Sequence, residues 1–229
     1  MKLVHLVPML ALLSLLGCIG DDFLLDTVDE TVRITNPIDS LKVGDAYRFE
    51  ATYFNKIGLE ESQPITWTSS DPDVMTMSSD GLAIGESIGE ASARAFTILN
   101  TGDTIRDELP VIVNADATSA SLKGRTGALE ATSSYILEGA FGLRDEGGGT
   151  LVLEFGEDYL ASSSLPGLYI YLTNNPSTNS GALEIGEVTV FSGAHSYTIT
   201  GGVSLTKYSH VLYYCKPFGV KVGEGEFDN

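Results

Sequence analysis

The residues best equipped for chemistry in this chain are its two cysteines, which lie near opposite ends of the sequence. Cys18 closes an apolar leader, and Cys215 lies in a strand-like run. A thiolate is a nucleophile and a metal ligand. If Cys18 is modified, Cys215 has no second thiol in the chain, so an internal dithiol cycle is excluded. Cys215 is then either a single redox or ligand group or a small hydrophobe of the core.

Two histidines extend the set of ligands that Cys215 could belong to. His195 and His210 are the histidines that follow the leader. Imidazole and thiolate bind copper and iron, so haem or copper is one open interpretation. Two ordinary surface histidines are the other. We predict no metal site, because three scattered residues form no ligand motif, and the absence of Cys-x-x-Cys-His excludes covalent c-type haem.

The leader itself predicts where the protein is found. Met1 and Lys2 precede an apolar run over residues 3–16, which is too short to span a bilayer. The following LLGC, ending at Cys18, resembles the lipobox of bacterial lipoprotein signals. That resemblance implies a signal peptide over residues 1–17, acylation of the Cys18 thiol by a diacylglyceryl group, and a further acyl chain such as palmitate on its amine. Several acyl chains anchor a protein stably. The alternative is an ordinary secretory signal, which leaves Cys18 as a second thiol.

Residues 18–29 predict an acidic tether between the anchor and the folded part. They carry four acids and no base, as is typical of a solvated linker. No Asp directly follows Cys18, so the usual signal for inner-membrane retention is absent. Gly20 followed by Asp21 and Asp22 resembles the export signal of surface lipoproteins in the Bacteroidetes. We expect a lipid-anchored protein of the bacterial outer membrane that faces the cell surface, with the inner leaflet of that membrane as the alternative.

Charge narrows the choice of partners. The net charge is −18, and the acidic residues are spread along the chain. Such a surface repels nucleic acid and anionic headgroups, so no nucleic-acid partner is expected. The membrane contact is then the lipid on Cys18, and a redox or surface partner stays unidentified.

Short alternating runs predict an all-β fold of two consecutive β-sandwich domains. Examples are residues 47–53, 135–137 and 188–191. The small polar segment 114–120 reads as the junction, which places the domains at residues 30–116 and 120–229. Gly147, Gly148 and Gly149 join two strands as a turn, since no helix or Lys-Ser/Thr pair follows them to form a phosphate loop.

The first domain carries four ordered motifs, which are LKVGD at 41–45, ITWTSSDPDV at 65–74, SDGL at 79–82 and IGEA at 88–91. This order resembles the bacterial immunoglobulin-like domain, group 2, and implies a spacer or adhesion module. We predict that Trp67 is a core residue, with a sugar-stacking platform as the alternative. Asp71, Asp73 and Asp80 are predicted to be turn carboxylates, because the ligand spacing of an EF-hand is missing.

The second domain also carries ordered motifs, which are LVLEF at 151–155, PGLYIYL at 166–172, LEIGEV at 183–188, GAHSYTI at 193–199 and VLYYCKPFGV at 211–220. This order is similar to the DM-thirteen domain. The resemblance implies a β-sandwich and a redox or electron-transfer role centred on Cys215. Strand alternation places Val211, Tyr213 and Cys215 on one face of a central strand, and it turns Lys216 away from the thiol.

Two functions follow from these observations. One is an electron-transfer role of Cys215 with an unknown redox partner. The alternative is a non-catalytic binding or adhesion module at the cell surface. An enzyme is not the favoured interpretation, because the sequence shows no Ser-His-Asp signature and no metalloprotease motif.

Overall fold

The computed structural model describes residues 26–117 and 123–228, which form β-strands and one short 3-10 turn and contain no α-helix. The predicted all-β class is therefore confirmed. The signal peptide, Cys18 and the tether up to residue 25 lie outside the described residues, as does part of the segment that joins the two halves.

The first half holds ten strands. They are β1 Thr31–Ile34, β2 Ser40–Lys42, β3 Ala46–Arg48, β4 Ala51–Phe54, β5 Glu60–Glu61, β6 Thr66–Ser69, β7 Met75–Met77, β8 Leu82–Gly85, β9 Gly89–Ile98 and β10 Thr104–Asn114. They pair in three sheets, ordered β1-β4-β5, β2-β10-β9-β6 and β3-β8-β7. All these pairs are antiparallel except β2 with β10, which is parallel.

The core of the first half is filled by small and aromatic side chains whose sizes are complementary. Ala91, Ala93 and Ala95 point inward from β9, and the short side chains leave room for Trp67, which lies opposite Ala95 in the register. The Trp67 ring stacks on Phe49 with 5.8 Å between centroids. Trp67 is 5% exposed, so its predicted place in the core is confirmed.

The run 47–53 is not the single strand that its alternation predicts. It divides into β3 and β4, which belong to different sheets. At the break, Phe49 N donates to Gly81 O, while Thr35 N donates to Glu50 O. Because the backbone changes partners here, the chain turns the corner between two sheets, as strands of packed sheets do. Phe49 and Tyr53 still point into the core.

The second half holds nine strands and the 3-10 turn Lys216–Phe218. The strands are β11 Gly124–Ala131, β12 Leu137–Gly147, β13 Thr150–Phe155, β14 Leu160–Ala161, β15 Leu168–Thr173, β16 Leu183–Glu187, β17 His195–Ile199, β18 His210–Cys215 and β19 Val220–Glu226. They form one sheet in the order β16-β15-β18-β19-β11-β12-β13-β17, and β14 pairs with β12.

This sheet folds over so that its two halves face one core. Phe155 of β13 and Tyr213 of β18 lie four places apart in the strand order, yet their ring centroids are 6.3 Å apart. Inward residues of both strands belong to the same buried cluster. The halves therefore pack face to face as a sandwich, and their burial is the main stabilising contribution.

Two of the predicted strands are corrected by the structure. Strand β12 begins at Leu137, and Tyr135 lies in the preceding bend, exposed to solvent. Residues 188–191 are not a strand, because the pairing of β16 with β15 ends at Glu187. The turn predicted at Gly147, Gly148 and Gly149 is confirmed, and all three have positive φ, which a tight hairpin favours.

Candidate functional site

Cys215 is the last residue of β18, between Leu168 of β15 and Val220 of β19 in the register. The predicted central strand is thus confirmed. The residue is 1% exposed and belongs to the core of the second sandwich. Its Sγ donates to the carbonyl oxygen of Pro166 at 3.3 Å. The thiol is therefore buried and has a hydrogen-bond partner.

Lys216 does not act on this thiol. Its Nζ lies 2.7 Å from Glu184 Oε2 and 4.7 Å from the centroid of the Tyr169 ring. The hydrogen bond between Lys216 and Glu184 raises the pKa of Lys216 and lowers the pKa of Glu184. Lys216 is the first residue of the 3-10 turn and lies outside the strand, so its position depends on the turn and not on strand alternation as predicted. Its ammonium group stabilises the Glu184 carboxylate.

His210 is too far from Cys215 to share a ligand with it. The two residues begin and end β18, and five residues of strand span roughly 16 Å. His210 Nδ1 lies 2.8 Å from Ser209 Oγ. Burial lowers the pKa of His210, against the opposing effect of Glu226 nearby.

His195 lies apart from both Cys215 and His210, at the start of β17. Its ring stacks on Phe155 at 4.8 Å and meets Tyr159 at 4.5 Å. His195 and His210 are therefore core-flanking residues of different strands, and the ligand set drawn from the sequence is not assembled. Within residues 26–117 and 123–228, no group of three or more His, Cys, Asp or Glu residues could hold a metal ion.

The turn carboxylates of the first half occupy the positions that the sequence predicts. Asp71 Oδ1 accepts from Asp73 N at 3.0 Å, closing a turn on its own backbone. Asp80 pairs with Arg48 at 2.9 Å and accepts from Ser78 Oγ at 2.6 Å. The pKa of Asp80 is lowered, chiefly by the Ser78 bond and then by Arg48.

Sequence reasoning missed the interface between the two sandwiches, in which Arg33 of β1 is the central residue. Its Nη1 donates to Asn174 Oδ1 at 2.7 Å and to the Lys207 carbonyl at 2.9 Å. The guanidinium also lies 4.9 Å from the centroid of the Phe54 ring. Burial lowers the pKa of Arg33 to about 10, and repulsion from the nearby charge of Arg125 makes a smaller contribution. Arg33 therefore stays charged at neutral pH.

Further hydrogen bonds surround Arg33. Ser204 Oγ and Thr206 Oγ1 both donate to the Thr35 carbonyl, at 3.0 and 2.8 Å. Asn175 is 1% exposed, and its Nδ2 donates to the Asp26 carbonyl at 2.5 Å. The Ser204 and Thr206 bonds cross from one sandwich to the other and help to fix the two units against each other, whereas the Asn175 bond holds residue 26 of the predicted tether against the second sandwich. No sequence motif predicts these interface contacts, because a single Arg in a strand and polar residues in loops are equally typical of a solvated surface.

Two searches by sequence find nothing similar to this chain, since neither the protein-family models nor the curated proteins match it. Solved structures that match include the S-layer protein SbsC domains 4 and 5, at 12% identity and a TM-score of 0.28, covering 86% of this chain and 96% of that one. That TM-score carries no argument about function. The resemblances to the two domain families therefore stay predictions. No helix in the described part of the chain has the length and hydropathy to cross a membrane.

Proposed function

We propose that this protein is a lipid-anchored module of the bacterial outer membrane that faces the cell surface, and that its two sandwiches form one non-catalytic binding unit. The contact set of Arg33 carries the proposal. A partly buried guanidinium with a side-chain and a main-chain acceptor on the other sandwich holds the pair in one orientation. A fixed pair presents a surface that spans both units, which a flexible pair does not.

The environment of Cys215 supports binding over redox chemistry. A thiol reacts as the thiolate, and a reactive cysteine is partly exposed in an electropositive setting. Cys215 is 1% exposed, and the nearest lysine in the chain, Lys216, is paired with Glu184. Both features favour a structural cysteine.

The net charge of −18 limits the partner of such a module. An acidic surface attracts basic groups and repels nucleic acid and anionic lipid, whereas it does not repel a neutral ligand. A glycan or a basic surface protein therefore fits the proposal best.

Two experiments test this function. Replacing Cys18 with Ser is expected to release the protein from membranes, and external protease is expected to digest the wild-type protein on intact cells. Glycan and surface-protein arrays should then detect a partner, and binding should weaken when Arg33→Ala loosens the two sandwiches. Array signals at background, or a protein that stays with the membrane after Cys18→Ser, contradict the proposal.

Electron transfer by Cys215 is the second candidate. The observation that favours it is the position of the residue at the end of β18, directly before the surface turn Lys216–Phe218, whose Phe218 is 68% exposed. A local opening of this turn exposes the sulfur to haem or copper. Absorbance titration with either group tests this, with Cys215→Ser as the control. No spectral change, or the same change in the variant, excludes the role.

A further inference from the structure

A cluster of aromatic residues in the core of the second sandwich carries polar atoms that need a partner. We define the tyrosine–histidine cluster as Tyr159, His195, Tyr197 and Tyr213. The ring centroids are 4.5 Å apart for Tyr159 and His195, 5.6 Å for His195 and Tyr197, and 6.4 Å for Tyr159 and Tyr213. These residues come from β17, β18 and the loop that precedes β14, so tertiary structure alone brings them together.

Four polar atoms of this cluster are buried without a well-aligned hydrogen bond to any described residue, although the hydroxyls of Tyr159 and Tyr213 lie close enough to interact with each other and that of Tyr197 interacts with the Thr189 backbone. They are the hydroxyls of Tyr159, Tyr197 and Tyr213 and the Nε2 atom of His195. Tyr213 is 0% exposed and Tyr159 is 1% exposed, so bulk water does not reach their hydroxyls. Leaving one buried polar group unsatisfied costs about 1–3 kcal/mol. Four such groups on adjoining rings form a polar site inside an otherwise apolar core.

The hydrogen-bonding character of the site can be assigned atom by atom. His195 Nδ1 lies 2.9 Å from the Gly193 carbonyl. A carbonyl only accepts, so Nδ1 carries the proton, and in the neutral ring Nε2 is an acceptor. Burial raises the pKa of Tyr159 to about 12 and that of Tyr213 well above its ordinary value. Both phenols therefore keep their protons at neutral pH. With the imidazole in that form, the site offers one acceptor and three hydroxyls.

A route to solvent passes His195. Its ring and that of Phe155 also line an open surface groove, together with Ala140, Gly156 and Ala194. The imidazole thus lies between the groove and the buried hydroxyls.

We propose that the tyrosine–histidine cluster is an internal hydration site, in which ordered water donates to His195 Nε2 and exchanges hydrogen bonds with the hydroxyls of Tyr159, Tyr197 and Tyr213. Water has two donors and two acceptors, which matches this mixture of acceptor and hydroxyl groups. Buried water of this kind makes two to four hydrogen bonds and is costly to remove. A metal cation is the less suitable guest, because the phenols are protonated and no carboxylate belongs to the cluster.

The first test compares Tyr213→Phe with Tyr135→Phe. The Tyr213 variant removes one partner of the bound water, and we expect the unfolding equilibrium constant to rise about tenfold. Tyr135 is exposed, and its variant should stay within about twofold of the wild type. If Tyr213→Phe instead stabilises the protein, the hydroxyl had no partner in a dry core, and the proposal is wrong.

The second test observes the guest directly, in a crystal structure of the protein at atomic resolution. Water density within hydrogen-bond distance of two or more of the four atoms supports the proposal. Direct bonds among the hydroxyls and the imidazole without water would overturn it. So would an anomalous signal from a metal ion at the same place.

Discussion

Arg33 and Asn174, which are 141 residues apart in the sequence, meet across the two sandwiches with 2.7 Å between Nη1 and Oδ1. Asn174 Oδ1 also accepts a hydrogen bond from Ser209 N at 3.0 Å, and Asn174 Nδ2 donates one to the Lys207 carbonyl at 3.2 Å. One carboxamide thus orders a loop of the second sandwich and receives the arginine of the first. Substitutions at this contact can therefore test how much the interface between the two sandwiches contributes to stability.

Arg33→Ala is expected to destabilise the protein by about 1.5–3 kcal/mol, the range for hydrogen bonds to a charged group. The variant removes the charged donor of Asn174 Oδ1 and of the Lys207 carbonyl, each of which keeps one neutral donor. Arg48→Ala is the matched control. Arg48 pairs with Asp80 on the exposed surface, and such pairs contribute about 0–1 kcal/mol. Denaturant unfolding measures both changes. Equal effects of the two variants would contradict a special role of Arg33.

Gly58→Ala should disturb the same interface at a second point of the first sandwich. A Cβ at Gly58 would lie 2.8 Å from the backbone carbon of Asn174, and φ is +74°. Gly102 has φ of +91° and open space around it. Both variants carry the backbone penalty of about 1 kcal/mol for a left-handed residue, but the Gly58 variant adds a steric clash with the second sandwich. We expect Gly58→Ala to lower stability clearly more than Gly102→Ala in thermal unfolding.

The thiol of Cys215 should react slowly in the folded protein. Its burial and its bond to the Pro166 carbonyl predict that a thiol reagent modifies it only when the strand end opens. In denaturant the reaction should be fast. The rate of colour development with a disulfide reagent measures this, on a Cys18→Ser background so that Cys215 is the reacting thiol. Rapid reaction without denaturant would favour the redox candidate instead.

Stability should fall as the pH rises above about 10. Burial raises the pKa of Tyr53 to about 12, helped by its hydrogen bond to Glu30, and burial likewise raises that of Tyr159 to about 12. An unfolded tyrosine ionises near pH 10. Above that pH the unfolded chain loses protons that the folded chain retains, so stability present below about pH 10 is lost progressively up to about pH 12. The phenolate signal of Tyr53 and Tyr159, obtained as the absorbance lost in their Phe variants, should therefore appear together with the change in circular dichroism. Ionisation of these two tyrosines before unfolding contradicts the prediction.

How much of this structure was predictable depends on the range of the interactions. Trp67 could be placed in the core because strand alternation and an apolar ring are local information. The inward position of Cys215 in β18 followed from the same period of two. By contrast, the division of residues 47–53 between two sheets depends on Phe49 meeting Gly81 and on Thr35 meeting Glu50. Those partners come from distant segments, and alternation alone does not reveal them.

The sequence by itself determined the all-β class, the inward face of β18 and the turn at Gly147, Gly148 and Gly149, because backbone preferences and side-chain periodicity act over a few residues. Only the tertiary structure decided that Cys215, His195 and His210 lie apart, that Arg33 joins the two sandwiches, and that three tyrosines and a histidine share a buried polar site. The physical reason is that burial and hydrogen bonding between remote segments depend on how strands are ordered in the sheet. That order is set by the summed free energy of the packed core, which no short motif contains.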